Sequence, residues 1–300
     1  MLRVSDLPKV RGSYRESFYL SNVTWFNVGG PADVLFKPKD VDDLAAFLQE
    51  KSLEVPYMVL GVGSNLLVRD GGIRGVIIRL GREFADILFK DEELMVGAGA
   101  LDANVSKYCA DKGLKGLEFL SGVPGVIGAA LAMNAGAYGR EISDCLIKLE
   151  ALDKNGKKII INKEDCGFKY RSNSLSDDLI FTKAYFKVSK GNREEIQAKI
   201  QEIQQQREST QPIRSKTSGS SFKNPPGKKA WELIDQAGCR GLRLGDAIIS
   251  EKHCNFLINL GNATASDIEN LGELVRQKVF NKSGIMLEWE IKIVGEKIAS

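Results

Sequence analysis

Strand and helix signals interleave along the whole chain, which predicts an α+β protein of more than one domain. Two observations carry this. Short apolar runs rich in strand formers alternate with capped, amphipathic stretches. Near residue 211 a long helical pattern stops at Gln211-Pro212, a loop-like tract follows, and a fresh helix-strand pattern begins. Three hundred residues are enough chain for two to three domains with cores of their own.

Residues 1–20 mix charge with isolated apolar side chains and are expected to form a loosely attached arm. "ADVLFKP" then reads as a strand, and "DVDDLAAFLQEK" as a helix capped by Asp40 with Leu44, Phe47 and Leu48 on one face. The strand "YMVL" completes a small βαβ-like unit and runs into "GVGSNLLVRDGG" at 61–72. "ILFKDEELMVGAG" predicts a hairpin turning near Asp91-Glu92, and "LDANVSKYCADKG" a helix that Gly113 ends. In "LIKLEALDKNGKKIII" the pair Asn155-Gly156 predicts a hairpin with a type I′ turn, and "LIFTKAYFKV" predicts a further strand. At 192–209 an Asn192/Glu195 capping box opens a helix with a narrow stripe of Ile196, Ile200 and Ile203. Beyond the boundary, "KAWELIDQAG" is a helix closed by Gly238 and "HCNFLINLG" a buried strand. "SDIENLGELVRQKVFNKSG" is a helix with a Ser266/Glu269 capping box and Gly284 at its end, and "IMLEWEIKIVG" a final strand with alternating glutamates.

Composition narrows the chemistry. Forty-two Lys and Arg against 39 Asp and Glu leave a net charge of +3 with no basic block, so neither nucleic acid nor an anionic membrane is expected as partner. Small molecules are. The most apolar stretch, "GVIGAALAM", is far shorter than the roughly 20 residues of a membrane span. Cys109, Cys145, Cys166, Cys239 and Cys254 are odd in number and scattered, which fits reduced cytosolic thiols. The single histidine, His253, rules out histidine-rich zinc sites, and no metal site is expected.

Two glycine-rich turns remain. Gly61, Gly63, Ser64 and Asn65 can aim backbone N–H groups at an anion, yet Leu66 breaks the dinucleotide fingerprint and no Gly-Lys-Ser/Thr follows. An ordinary turn between strands explains them equally well. In "LSGVPGVIGAALAMNAGAYGRE", Gly122, Gly125 and Gly128 lead into a small-residue helix whose free N–H groups and positive dipole end suit a pyrophosphate. Close helix packing is the alternative.

Taken together and in order, "TWFNVGGPADVLFKP", "GVGSNLLVRDGG", "GLEFLSGVPGVIGAALAMNAGAYG", "FKYRSNS", "GSSFKNP", "RLGDAIISEKHCNFLIN" and "MLEWEIKIVG" resemble the UDP-N-acetylenolpyruvoylglucosamine reductase (MurB) family over nearly the whole chain after residue 20. The resemblance implies an FAD-binding region of two α+β subdomains, of the vanillyl-alcohol-oxidase-like (PCMH) type, at about 21–82 and 83–191. A linker helix at 192–210 and a substrate-binding domain at 211–300 would follow. It implies non-covalent FAD held by Gly61, Gly63, Ser64, Asn65, Ser121, Gly122, Gly125, Gly128, Asn134 and Gly136, with NADPH as hydride donor. It implies a cytoplasmic enzyme of peptidoglycan synthesis: hydride passes through flavin N5 to C3 of the enolpyruvyl group, and UDP-N-acetylmuramate results.

By motif position the resemblance assigns Ser220 as the proton donor to C2, Arg171 and Glu290 as stabilisers of the enol-like intermediate, and Tyr170, Asn224 and His253 as substrate contacts. Without it, Ser220 reads as a capping serine, Arg171 as a surface ion pair, and Glu290 as a solvent-facing strand residue equal to Glu288. Trp289, Asp246 and Ala129 depart from the family pattern, and the chain lacks the substrate-covering insertion of the longer members, so it resembles the shorter type II form. An oxidase of the same fold and a non-enzymatic nucleotide-binding module are the competing readings. A covalent histidyl-flavin link is excluded, since His253 lies outside the FAD region.

Overall fold

The computed structural model describes residues 2–298, so the outermost ends of the first and last expected segments lie outside the described residues. The expected loose arm is instead an edge strand. β1 (Ser13–Tyr19) pairs antiparallel with β2 (Pro31–Lys37), and Tyr14 packs its ring 5.0 Å from Phe36 and 6.4 Å from Phe47. Only Tyr14 and Phe18 turn toward the sheet, a pattern too sparse to read as a strand.

The βαβ unit forms as expected from β2, α1 (Val41–Glu50) and β3 (Tyr57–Val59). Asp40 caps α1 by accepting from the Asp43 N–H at 2.9 Å. β5 (Ile73–Ile78) completes the sheet, lying between β2 and β3 and running parallel to both, while the short β4 (Leu66–Val68) after the glycine turn stands outside it. The glycine turn at 61–65 therefore sits at the carboxyl edge of a parallel sheet, where open α/β sheets place ligands.

The second unit is a five-stranded antiparallel sheet. Its strands, in order across the sheet, are Lys158–Asn162, Leu146–Leu152, Ile180–Lys187, β7 (Glu93–Gly97) and β6 (Ile87–Lys90). The helices α2 (Asp102–Lys112) and α3 (Ile127–Ala132) close one core with it, through Leu94, Val105, Ile127, Leu149 and Phe186. The type I′ geometry lies at Asp91-Glu92, with φ of +50° and +63°. At Asn155-Gly156 only the glycine has positive φ, because the Asp153 carboxylate accepts from the N–H groups of Asn155 and Lys157, both at 2.9 Å, and shapes a longer turn.

α4 (Arg193–Thr210) starts at Asn192, whose side chain accepts from the N–H groups of Glu194 and Glu195. Its buried Ile196 and Ile203 rest on α2 and the 118–122 turn. The last unit packs α5 (Ala230–Gln236) and α6 (Ala265–Ser283) against the short strands Ala247–Ile249 and Leu257–Asn259. The capping box of α6 is Thr264/Asp267, not Ser266/Glu269. Glu269 is drawn away to a bidentate pair with Arg69, at 2.9 Å for both bonds, while Asp70 accepts from the N–H groups of Ala265 and Ser266. The final strand is short, Lys292–Val294, and pairs parallel with β4, Lys292 opposite Leu66. That register returns the chain end to the glycine turn and sets Glu290 beside it.

Candidate active site

A cavity of about 1220 Å³ opens where the three units meet, larger than the roughly 300–1,000 Å³ of sites for drug-sized ligands. Its wall includes Gly61, Gly63, Ser64 and Asn65 of the first unit, Gly122, Gly125, Gly128 and Gly136 of the second, and Ser220 and Glu290 of the third. Among the described residues, no backbone N–H from Gly61 to Asn65 meets a protein acceptor, so the turn presents an unspent row of donors. Gly63 has φ +67°, and a Cβ there would stand 2.5 Å from the Val23 carbonyl oxygen. The protein's own backbone demands this glycine.

The second glycine stretch differs from expectation. α3 is six residues long, and the N–H groups of Ile127 and Gly128 already donate to the carbonyls of Ala100 and Ala98, at 3.0 and 2.8 Å. Around the helix start the N–H groups of Gly125, Val126 and Ala129 are left without a protein acceptor among the described residues. A Cβ on Gly125 would meet the Asp102 carboxylate at 2.7 Å.

Asp102 is a site residue that sequence reasoning missed. It lines the cavity, is fully buried, and neither carboxylate oxygen has a partner among the described residues. Burial pushes its carboxyl well above the usual range and favours the neutral, proton-donating form. In sequence it reads as an ordinary acidic residue in the first turn of a helix. The Thr217 hydroxyl, also in the wall, is likewise buried without a partner. A row of free N–H groups, an orphaned acid and an orphaned hydroxyl in one large cavity fit an elongated cofactor carrying a pyrophosphate.

The three candidate catalytic residues converge on the same cavity. Arg171 sits at φ +55° in a tight turn closed by Lys169 and Ser172, each N–H donating to the other's carbonyl at 2.9 and 3.1 Å. Its Nε donates to Glu290 Oε1 at 2.7 Å, and its guanidinium lies 5.2 Å from the Tyr170 ring centre. Burial raises the Glu290 carboxyl above its usual value, against the pull of Arg171 and Lys223. Glu288 is no equal: its side chain is 76% exposed against 12% for Glu290. Ser220 faces the cavity, whereas Ser221 is buried, its Oγ accepting from the Leu257 N–H at 3.2 Å.

Other sequence candidates stand elsewhere. Ser121 donates to the Glu118 carbonyl at 2.8 Å, and the fully buried Asn134 side chain is held by Lys169 and Ser143; neither lines the cavity. Tyr170, Asn224 and His253 are also outside its wall, though Tyr170 and Asn224 adjoin the wall residues Arg171 and Lys223 and the His253 ring lies 4.8 Å from that of Phe256, a third. The Asn224 side chain accepts from the Ala230 N–H and so caps α5. Burial lowers the His253 pKa and keeps the ring neutral. Trp289 stacks 4.7 Å from Phe222 and donates to Glu273, Asp246 pairs with Arg243, and Ala129 lines the cavity. All five cysteines are buried and free, and no metal-binding group of side chains occurs among the described residues.

Residues 32–162 match the family model described as FAD binding domain, and residues 211–294 that of the UDP-N-acetylenolpyruvoylglucosamine reductase C-terminal domain. The chain is 51% identical to the UDP-N-acetylenolpyruvoylglucosamine reductase of Rickettsia massiliae (strain Mtu5), covering 96% of this chain and 98% of that one. It is 52% identical to that of Rickettsia bellii (strain RML369-C), covering 97% of each. The crystal structure of the Thermus caldophilus reductase superposes with a TM-score of 0.82 at 38% identity, over 95% of this chain and 99% of that one.

Proposed function

The chain belongs to the UDP-N-acetylenolpyruvoylglucosamine reductase family, and from that premise we propose that this FAD-dependent oxidoreductase reduces UDP-N-acetylglucosamine enolpyruvate to UDP-N-acetylmuramate, with NADPH as reductant, in peptidoglycan synthesis. The observation that carries the reading is the meeting of Ser220, Arg171 and Glu290 in one cavity with the free N–H row of 61–65. Bound there, FAD would supply the relay of hydride from NADPH to C3 of the enolpyruvyl group. The N–H groups of residues 61–65, Gly125 and Val126 would hold its pyrophosphate, and Asp102 would offer an O–H from the same wall.

Ser220 protonates C2. A serine hydroxyl is a weak acid, and Lys223 and Lys292, also in the cavity wall, favour the alkoxide it leaves. Arg171 offsets the negative charge that grows on the substrate carboxylate, and holds Glu290 by its 2.7 Å bond. Glu290, drawn toward its protonated form by burial, donates to the enol-like oxygen. Tyr170, Asn224 and His253 contact the UDP-sugar beyond the wall. The compartment proposed is the cytoplasm; no helix among the described residues is long and apolar enough to cross a membrane.

The test is anaerobic. NADPH should bleach the flavin, and UDP-N-acetylglucosamine enolpyruvate should then restore its colour with formation of UDP-N-acetylmuramate. Reoxidation by oxygen alone would mark an oxidase, and a colourless protein with no FAD uptake would leave only a binding module.

A further inference from the structure

We propose that Asn134 and Asn173 form a reciprocal amide clamp that fixes the Arg171 turn to the end of α3, making both asparagines positioning residues for the reaction. α3 stops at Ala132, whose carbonyl has no backbone donor among the described residues, whereas the Leu131 carbonyl already accepts from the Asn134 N–H at 3.3 Å. Asn173, two residues after Arg171, supplies donors: its Nδ2 reaches the Leu131 carbonyl at 3.3 Å and the Ala132 carbonyl at 2.8 Å. In the other direction, Asn134 Nδ2 donates at 3.2 Å to the Lys169 carbonyl, two residues before Arg171. The acceptor oxygens serve their own neighbourhoods, Asn134 Oδ1 taking the Ser143 N–H at 3.0 Å and Asn173 Oδ1 the Leu175 N–H at 2.8 Å. Each amide spends its donor across the gap and its acceptor at home.

Between the two anchors Arg171 holds φ +55°, a conformation costly for a non-glycine residue and kept only where the surroundings over-determine it. Asn134 itself has φ +43° and is fully buried, in a left-handed geometry that asparagine tolerates better than most residues. The far end of the ion pair is fixed as well. Asn65 Nδ2 donates to the Glu290 carbonyl at 3.0 Å, and the Glu290 N–H donates to the Ser221 carbonyl at 2.9 Å. Both ends of the Arg171–Glu290 pair thus stand on anchored backbone. A displacement of about 1 Å at such a group costs on the order of 10²-fold in rate.

The inference rests on the reading of Arg171 as a group acting on the intermediate, so Arg171→Ala is measured alongside. Asn134→Asp keeps the acceptor for Ser143 and removes the donor to Lys169; Asn134→Gly permits the same backbone if the aspartate variant fails to fold. Both half-reactions are followed by stopped flow on the FAD-loaded protein, together with FAD content. The expected result is full FAD content, flavin bleaching by NADPH within about twofold of wild type, and reoxidation by substrate slowed about 10- to 100-fold. Asn173→Asp should behave alike. The double variant Asn134→Asp/Arg171→Ala should be no slower than Arg171→Ala alone, because the asparagine acts through the arginine. Normal reoxidation in the Asn134 variants, or additive losses in the double variant, overturns the clamp. Loss of FAD from them also overturns it and returns Asn134 to the cofactor. If Arg171→Ala itself reoxidises normally, the reading of the arginine falls first.

Discussion

Replacing each of two adjacent serines by alanine should produce opposite defects. Ser220 faces the cavity with a half-buried side chain, so Ser220→Ala leaves packing and fold nearly untouched. Its predicted cost is chemical: reoxidation of the reduced flavin by substrate slows by about 10²–10⁴-fold, the contribution of a positioned acid, while bleaching by NADPH continues near the wild-type rate. Ser221 is 1% exposed, and its Oγ is the acceptor for the Leu257 N–H at 3.2 Å. Ser221→Ala leaves that buried N–H unpaired, a loss of about 1–3 kcal/mol in stability, and should lower the melting temperature by several degrees. Its reoxidation rate should stay within a few-fold of wild type, since the bonds that its backbone carbonyl accepts from Glu290 and Ile291 survive the change. Stopped-flow absorbance at the flavin band measures the first pair of effects, and a melting curve followed by flavin release the second. A Ser221→Ala enzyme crippled in reoxidation at unchanged melting temperature, or a Ser220→Ala enzyme that turns over normally, would refute the assignment of the proton donor.

Gly63→Val should purify without flavin, because a Cβ meets the Val23 carbonyl at 2.5 Å and the φ of +67° disfavours any side chain; FAD content after gel filtration decides, and full occupancy would refute it. Asp102 has a native pKa well above its ordinary 3.8, so between those two values the folded protein holds a proton that the unfolded chain has lost. Stability therefore falls as pH rises through that window and levels off above the native value. Asp102→Asn should remove that slope from the apo protein's melting temperature and keep FAD affinity, whereas Asp102→Leu should lose affinity; an unchanged slope in the asparagine variant would refute the burial argument. Tyr170→Phe should raise the KM for the UDP-sugar with the flavin spectrum and NADPH reduction unchanged, and loss of FAD instead would show that the two sites were assigned wrongly.

Elements with local causes were legible in advance. Asp40 caps α1, Gly113 ends α2 at φ +64°, and Asn192 opens α4, each through a bond or backbone angle set within a few residues. Where local cues competed with distant partners, the distant partner decided. Glu269 left its expected box for Arg69, 200 positions away, and Thr264 with Asp267 capped the helix in its place. β1 was missed because its pairing with β2, not its own pattern, makes it a strand.

The site divides in the same way. Motif order alone named the family and pointed to the turn at 61–65 and to Ser220, Arg171 and Glu290 as candidates, all of which line the cavity, since chemistry at a fixed backbone position leaves a linear trace. Burial and long-range bonding leave none. An acidic residue in the first turn of a helix looks the same in sequence whether it is solvated or, like Asp102, sealed in a cavity wall without a partner. Glu288 and Glu290 alternate identically on paper, and only the parallel pairing of Lys292–Val294 with β4 brings the second beside Asn65 and turns it to Arg171. Asn134 belongs to a motif read as cofactor-binding, yet the turn at 169–172 folds back to meet its amide, and that contact spans 35 residues. Sequence determined which groups the protein owns; the packing of three units around one cavity decided which of them face it, because direction and burial are properties of neighbours that the chain order does not list.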